Sequence, residues 1–167
     1  MEVTIRRART SDVSAIRGLV DDYAGKRILL DKPTVTLFED VQEFWVAERG
    51  GDGAVVACGA LHVMWEDLAE VRTLAVDPSC RGYGVGHRLL AQLLETARWL
   101  GVRRIFCLTF EVDFFARHGF VEIEGTAVDP EVYRELLRSY DEGVAEFLDL
   151  ERVKPNTLGN TRMLLHL

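Results

Sequence analysis

Apolar residues recur along the chain with two alternating periods. Val3 and Ile5 alternate with polar neighbours up to Arg7, which predicts a short opening strand. Thr10-Ser11-Asp12 then offers helix-capping side chains. Val13, Ile16, Leu19, Val20 and Tyr23 fall three or four apart, predicting an amphipathic helix to about Ala24 that Gly25 ends. Pro33-Thr34 opens a second helix with Leu37, Phe38 and Val41 on one side. Strand-like runs follow at Phe44–Glu48, Ala54–Met64 and Ala69–Val76; Gly50-Gly51-Asp52-Gly53 turns the chain after the first, and Asp77-Pro78 stops the third. The strongest helical stripe is Leu89, Leu90, Leu93, Leu94, Ala97 and Leu100, with Arg88, Gln92, Glu95 and Arg98 opposite and Gly101 as terminator. Beyond it come a strand at Arg104–Phe110, a short helix over Asp113–His118 closed by Gly119, and a strand at Phe120–Ile123. Pro130 to about Asp149 is helical in character, with Val132, Leu136 and Leu137 as its stripe, and Thr161–Leu167 reads as a last strand. This interleaving predicts a mixed α/β domain.

The length of 167 residues suits one domain with a sizeable core. No apolar run approaches the roughly 20 residues that span a bilayer. The N-terminus has no apolar stretch behind its charges, so a cytoplasmic location away from membranes is expected. The net charge of −7, with no Lys/Arg cluster, argues against nucleic-acid binding, which draws on phosphate neutralisation. It also means that an anionic ligand must be held by local groups. Cys58, Cys80 and Cys107 are odd in number and form no CxxC pair, which excludes a disulfide framework and a zinc site. Cys58 and Cys107 lie within apolar runs and read as small core residues, whereas Cys80 adjoins a glycine-rich loop and is expected nearer the surface. His62, His87, His118 and His166 have no metal-ligand spacing; His87, at a helix start, could approach a phosphate or simply be solvated.

The informative stretch runs from Leu74 to Gly86: a strand ends, a loop carries glycines at 82, 84 and 86, and a long helix begins at once. The first N–H groups of a helix have no internal partner, and the helix dipole favours an anion there. Glycines let the backbone adopt positive φ and approach a ligand closely. The P-loop pattern GxxxxGK is absent, and Gly82-Tyr83-Gly84-Val85-Gly86 is GxGxG rather than the dinucleotide GxGxxG. What remains is R-x-x-G-x-G at Arg81, Gly84 and Gly86, which resembles the coenzyme A pyrophosphate loop of GNAT acetyltransferases. Phe114-Phe115-Ala116-Arg117-His118-Gly119-Phe120 looks like that superfamily's second motif, and Glu70–Val76 is similar to its central strand. The implied fold is α/β, a mixed central β-sheet with splayed middle strands flanked by helices, as a single domain over residues 1–167. Ile28-Leu29-Leu30-Asp31-Lys32, the helix up to Phe44 and Ala57–Leu61 look like the acetyltransferase domain of bacterial N-acetylglutamate synthase. Those enzymes carry an amino-acid-kinase domain in front, so the chain reads as a short form without arginine feedback through such a domain.

The resemblance implies acetyl-coenzyme A as co-substrate, no metal, and direct attack of a neutral amine on the thioester. Backbone groups of Leu74, Ala75 and Val76 would line the pantetheine arm and acetyl group. Amides of Arg81, Gly82, Tyr83, Gly84, Val85, Gly86 and His87 would hold the pyrophosphate, and Phe115 would pack on the coenzyme or serve the core. Glu70 falls where several GNAT enzymes carry a glutamate base; a carboxylate partly desolvated on a sheet would have a raised pKa. It shares strand parity with Arg72 and Leu74. The tyrosine that often protonates the leaving thiolate is replaced here by Phe114 or Phe115, so the acid is unassigned among water, Tyr140 or none. Lys32, Arg72 and, more weakly, Arg162 are the cations for an acceptor carboxylate. The sparsely charged tail Asn156–Arg162 makes glutamine a credible acceptor beside glutamate, in the first step of arginine biosynthesis. Another amine acceptor, or a silent acyl-coenzyme A-binding module, are the alternatives. The segment 129–154 would cover the acceptor pocket or form a subunit contact, which leaves a homo-oligomer open.

Overall fold

The computed structural model describes residues 1–25 and 32–167. The elements are β1 (Val3–Arg7), α1 (Val13–Gly25), α2 (Thr34–Glu39), β2 (Phe44–Arg49), β3 (Val55–Trp65), β4 (Leu68–Val76) and α3 (Val85–Leu100). They continue with β5 (Arg104–Thr109), α4 (Val112–Ala116), β6 (Val121–Glu122), α5 (Pro130–Leu136), α6 (Glu142–Phe147), α7 (Lys154–Thr157) and β7 (Thr161–His166). The seven strands form a sheet in the order β1-β2-β3-β4-β5-β7-β6, the mixed α/β arrangement expected from the sequence. The parallel ladder of β4 on β5 runs from Leu68↔Arg104 to Glu70↔Phe106 and ends there, although β4 continues to Val76 and β5 to Thr109. The chain divides into two compact units, Met1–Leu61 with Thr73–Trp99 and His62–Arg72 with Leu100–Leu167.

In the first unit, β1, β2 and the start of β3 pair antiparallel. Helix α1 buries Val13, Ile16, Leu19 and Val20 with Leu37, Phe44, Val46, Cys58 and Ala60, so the stripe read from the sequence is the buried one. Helix α3 packs close to β3. A Cβ on Gly59 would lie 2.9 Å from the Leu74 side chain and 3.1 Å from that of Leu93. Cys80 is 1% exposed and shares a core with Val85 and Leu89, which corrects the expectation of a surface thiol. Its burial follows from the turn at Pro78–Cys80, whose start is capped by the Asp77 carboxylate. Burial pushes the Cys58 thiol up to about 12.

In the second unit, β5 and β6 both pair antiparallel with β7. Its core joins Met64, Leu68, Phe106, Leu136, Val144, Phe147, Leu148 and Leu164, with Phe106 edge-on to Phe147 at 5.1 Å. The helical stretch expected from Pro130 to Asp149 is broken into α5 and α6. The break has a local cause: Ser139 Oγ accepts from the Asp141 N–H, and the Asp141 carboxylate accepts from the Val144 N–H as the cap of α6. The break leaves Leu137 exposed, while Val144 and Phe147 turn into the core.

Candidate functional site

One candidate group of residues lies in the unit that holds the glycine-rich loop. Gly82 and Gly84 take φ values of +82° and +74°, in the left-handed region that favours glycine. The hydrogen-bond ladder of α3 starts with the Arg88 N–H on the Gly84 carbonyl, so Val85, Gly86 and His87 form the first turn of the helix. Val85 itself turns its side chain into the core and pins that turn. The Arg81 N–H closes the preceding turn on the Pro78 carbonyl, so Arg81 contributes to this face through its guanidinium. That guanidinium donates to the Tyr23 hydroxyl at 2.9 Å and lies 5.5 Å over its ring. The same hydroxyl donates to the Val76 carbonyl at 2.7 Å. Tyr23 therefore ties α1 to the end of β4 and to the loop. Its place in the helical stripe reveals burial but gives no sign of this role.

Within β4, Thr73 is buried with a φ of +56°, an unusual value for a β-branched residue. It interrupts the extended backbone between Arg72 and Leu74. The parity read across Glu70, Arg72 and Leu74 is thus not that of one regular strand. Ala75 is buried, while Leu74 and Val76 are half-buried.

A second candidate group lies in the other unit. Glu70 is 4% exposed rather than solvated. The Arg72 guanidinium donates to Glu70 Oε2 from Nη2 at 2.6 Å and from Nε at 3.1 Å. Its other edge is held by Asp141, with Nη1 on Oδ2 and Nη2 on Oδ1, both at 2.7 Å. His62 Nε2, from β3, is 3.9 Å from Asp141 Oδ1. Arg72 thus sits between two carboxylates, which changes the picture of a cation offered to an acceptor. Burial would lower its pKa, but Glu70 and Asp141 hold it well above the ordinary value. Asp141 lies well below the usual carboxylate range; burial pushes it up, and the hydrogen bonds and charge of Arg72 more than offset that.

Helix α6 closes directly on this network. A Cβ on Gly143 would overlap Arg72 Nη2 and stand 2.6 Å from Glu70 Oε2. Only glycine lets the α6 backbone approach so near. No sequence signal marks Gly143, whereas Asp141 could have been found as a cap ahead of Val144.

The remaining candidates fall elsewhere. Arg162 donates to the carbonyls of Glu146, Phe147 and Gly125 and stacks 5.0 Å over Phe106, bracing the end of α6. Burial lowers its pKa. Phe115 is 5% exposed and edge-on to Phe114 and Phe120, an aromatic cluster at the second motif. Tyr140 is 99% exposed. Lys32 is half-buried and its carbonyl accepts from Arg17 Nη1; Ile28–Asp31, read with it, lie outside the described residues. Among the described residues no group of metal-ligating side chains is found, and no helix is long and apolar enough to cross a membrane.

The depressed pKa of Asp141 sets a direction for acid unfolding. A carboxylate lowered in the folded state contributes stability above its ordinary value of 3.8, lost as pH falls through the folded value. Urea titrations should therefore show the wild-type protein losing stability below about pH 4 more steeply than Asp141→Asn. Parallel curves for the two proteins would contradict this.

A family model for an acetyltransferase (GNAT) domain matches residues 40–122. A Mycobacterium tuberculosis protein named amino-acid acetyltransferase is 65% identical over 162 residues, covering 96% of this chain and 92% of that protein. An amino-acid acetyltransferase of Neisseria meningitidis serogroup A is 35% identical over 120 residues, 71% of this chain but 27% of the relative. A solved M. tuberculosis structure in complex with CoA and NLQ superposes with a TM-score of 0.95 at 64% identity, covering 98% of this chain and 99% of that one. N-acetylglutamate synthase from Neisseria gonorrhoeae, complexed with coenzyme A and N-acetyl-glutamate, gives a TM-score of 0.78 at 25% identity, covering all of this chain and 35% of that one.

Proposed function

This chain belongs to the GNAT superfamily of acetyltransferases, and from that premise we propose that it transfers the acetyl group of acetyl-coenzyme A to the α-amine of glutamate or glutamine. The observation that carries the reading is the loop before α3, where two left-handed glycines deliver the chain into the first turn of the helix beside Arg81. Such a turn suits the diphosphate of the coenzyme. The amino-acid acceptor is supported by the 65% identical relative named for that activity. Arginine biosynthesis in the cytoplasm is the process it would serve, and a homo-oligomer is compatible with it.

The chemistry follows from what amines and thioesters require. The acceptor's ammonium must lose a proton before its nitrogen can attack the acetyl carbonyl carbon. In this proposal Glu70 takes that proton, directly or through one water, on Oε1, since both Arg72 bonds go to Oε2. A C–N bond forms, charge develops on the carbonyl oxygen, and the C–S bond then breaks; the proton the nitrogen sheds as the amide forms passes through water to the departing thiolate, giving the free thiol. Peptide N–H groups beyond the β4–β5 ladder, at Leu74 to Val76, would meet the acetyl oxygen and the pantetheine arm. Arg72 serves as partner of the base, so Lys32 is the cation proposed for the acceptor's α-carboxylate.

Thiol release from acetyl-coenzyme A with a panel of amino acids, peptides and simple amines tests the proposal. Release is expected with glutamate or glutamine; release only with peptides or unrelated amines would refute the acceptor. Glu70→Gln should lower kcat by about 100-fold, most at low pH, with coenzyme affinity kept. An unaltered pH–rate profile removes Glu70 as the base.

A further inference from the structure

We infer that Asp141 is a positioning residue for acetyl transfer, holding Arg72 so that Arg72 in turn fixes the Glu70 carboxylate; this rests on Glu70 being the base proposed above. The pair Glu70–Arg72 sits two residues apart on one strand, and a guanidinium on a long side chain has many rotamers available to it. Asp141 removes that freedom. Its two oxygens engage Nη1 and Nη2 in a forked pair at 2.7 Å each, which sets the guanidinium plane as well as its position. The plane then dictates where Nε and Nη2 meet Glu70 Oε2.

Asp141 is itself anchored to backbone. Oδ1 accepts from the Val144 N–H at 2.9 Å, so the carboxylate moves only if the start of α6 moves. Val144 and Phe147 hold that helix in the core with Phe106, the residue paired with Glu70 across the ladder. Gly143 is the second, independent sign that the approach is built in. Its missing side chain is what allows the α6 backbone to close on Arg72 Nη2 and Glu70 Oε2. A plain helix cap would need neither a forked ion pair nor a glycine pressed against a buried carboxylate.

Two substitutions separate positioning from capping. Asn is as good a helix cap as Asp, so Asp141→Asn keeps the Val144 bond while removing the charge that grips Arg72. Asp141→Glu keeps the charge and lengthens the arm by one methylene. In the full-length protein, both should lower kcat by about tenfold or more, while KM for acetyl-coenzyme A and the Kd for coenzyme A by calorimetry stay within about twofold of wild type. Thermal unfolding monitors the fold, and if Asp141→Asn does not fold, Asp141→Glu carries the test. Wild-type kcat in a folded variant, or a loss confined to KM, overturns the role of Asp141. Glu70→Gln run in parallel separates the two claims. If it loses activity while the Asp141 variants do not, positioning alone falls; if it keeps wild-type kcat, the base assignment falls.

Discussion

Arg72→Met is expected to cost about 3–5 kcal/mol of folding stability. The native guanidinium neutralises two carboxylates, Glu70 at 2.6 Å and Asp141 at 2.7 Å. Methionine fills much of the same space but leaves two like charges facing each other, one of them almost fully buried. Breaking a buried pair from one side strands an uncompensated charge, whereas replacing every member by apolar residues of similar volume is often close to neutral. A urea midpoint shifted at constant m-value would report the loss. The deficit should shrink as pH falls and the stranded carboxylates take up protons. A shift worth less than about 1 kcal/mol, the usual value of an exposed pair, would mean that the network is solvated in solution.

Gly84→Val is expected to weaken coenzyme A binding by at least about tenfold, or ~1.4 kcal/mol. The backbone there sits at φ +74°, where a β-branched residue pays a steric cost of about 1–2 kcal/mol. No atom of the protein lies within 4 Å of a Cβ built at this position, so the substitution makes no direct clash of its own at that atom. The relief available is a change of loop conformation, which re-aims the first-turn N–H groups of α3. Calorimetric titration of the folded variant with coenzyme A measures this. Affinity equal to wild type would break the link between these amides and the diphosphate.

The two substitutions probe two groups of residues that differ in how visible they are in the sequence. The stripe of α3 is buried from Leu89 to Ala97 as its spacing implies, whereas Leu100, read with it, is exposed at the end of the helix. Of the glycines at 82, 84 and 86, the first two take the left-handed conformation, while Gly86 lies within α3. Such features rest on one residue and its near neighbours, so the order of residues alone encodes them. Burial is also nearly readable from pattern, because the hydrophobic effect asks only that apolar side chains leave water, whatever they meet. Exceptions run both ways: Phe38, Leu100 and Leu137 stay exposed, while the turn capped by Asp77 carries Cys80 inward.

Hydrogen bonds and ion pairs obey a different rule, because they need a named partner at a fixed distance. Glu70 is picked out by its likeness to the glutamate of related acetyltransferases, but its environment is made by Asp141 and Gly143, some 70 residues further along the chain. The Tyr23 hydroxyl reaches Val76 and Arg81 only because α1 lies against the strand. Arg162 proved to be bound by backbone carbonyls of the α6 end, which its place in the tail strand does not foretell. From residue order alone came the α/β alternation and the glycine-rich turn into α3, and from the family resemblance came the glutamate. Which charges meet, and with what geometry, was decided by tertiary packing, since only the folded chain brings distant polar atoms within 3 Å and away from water.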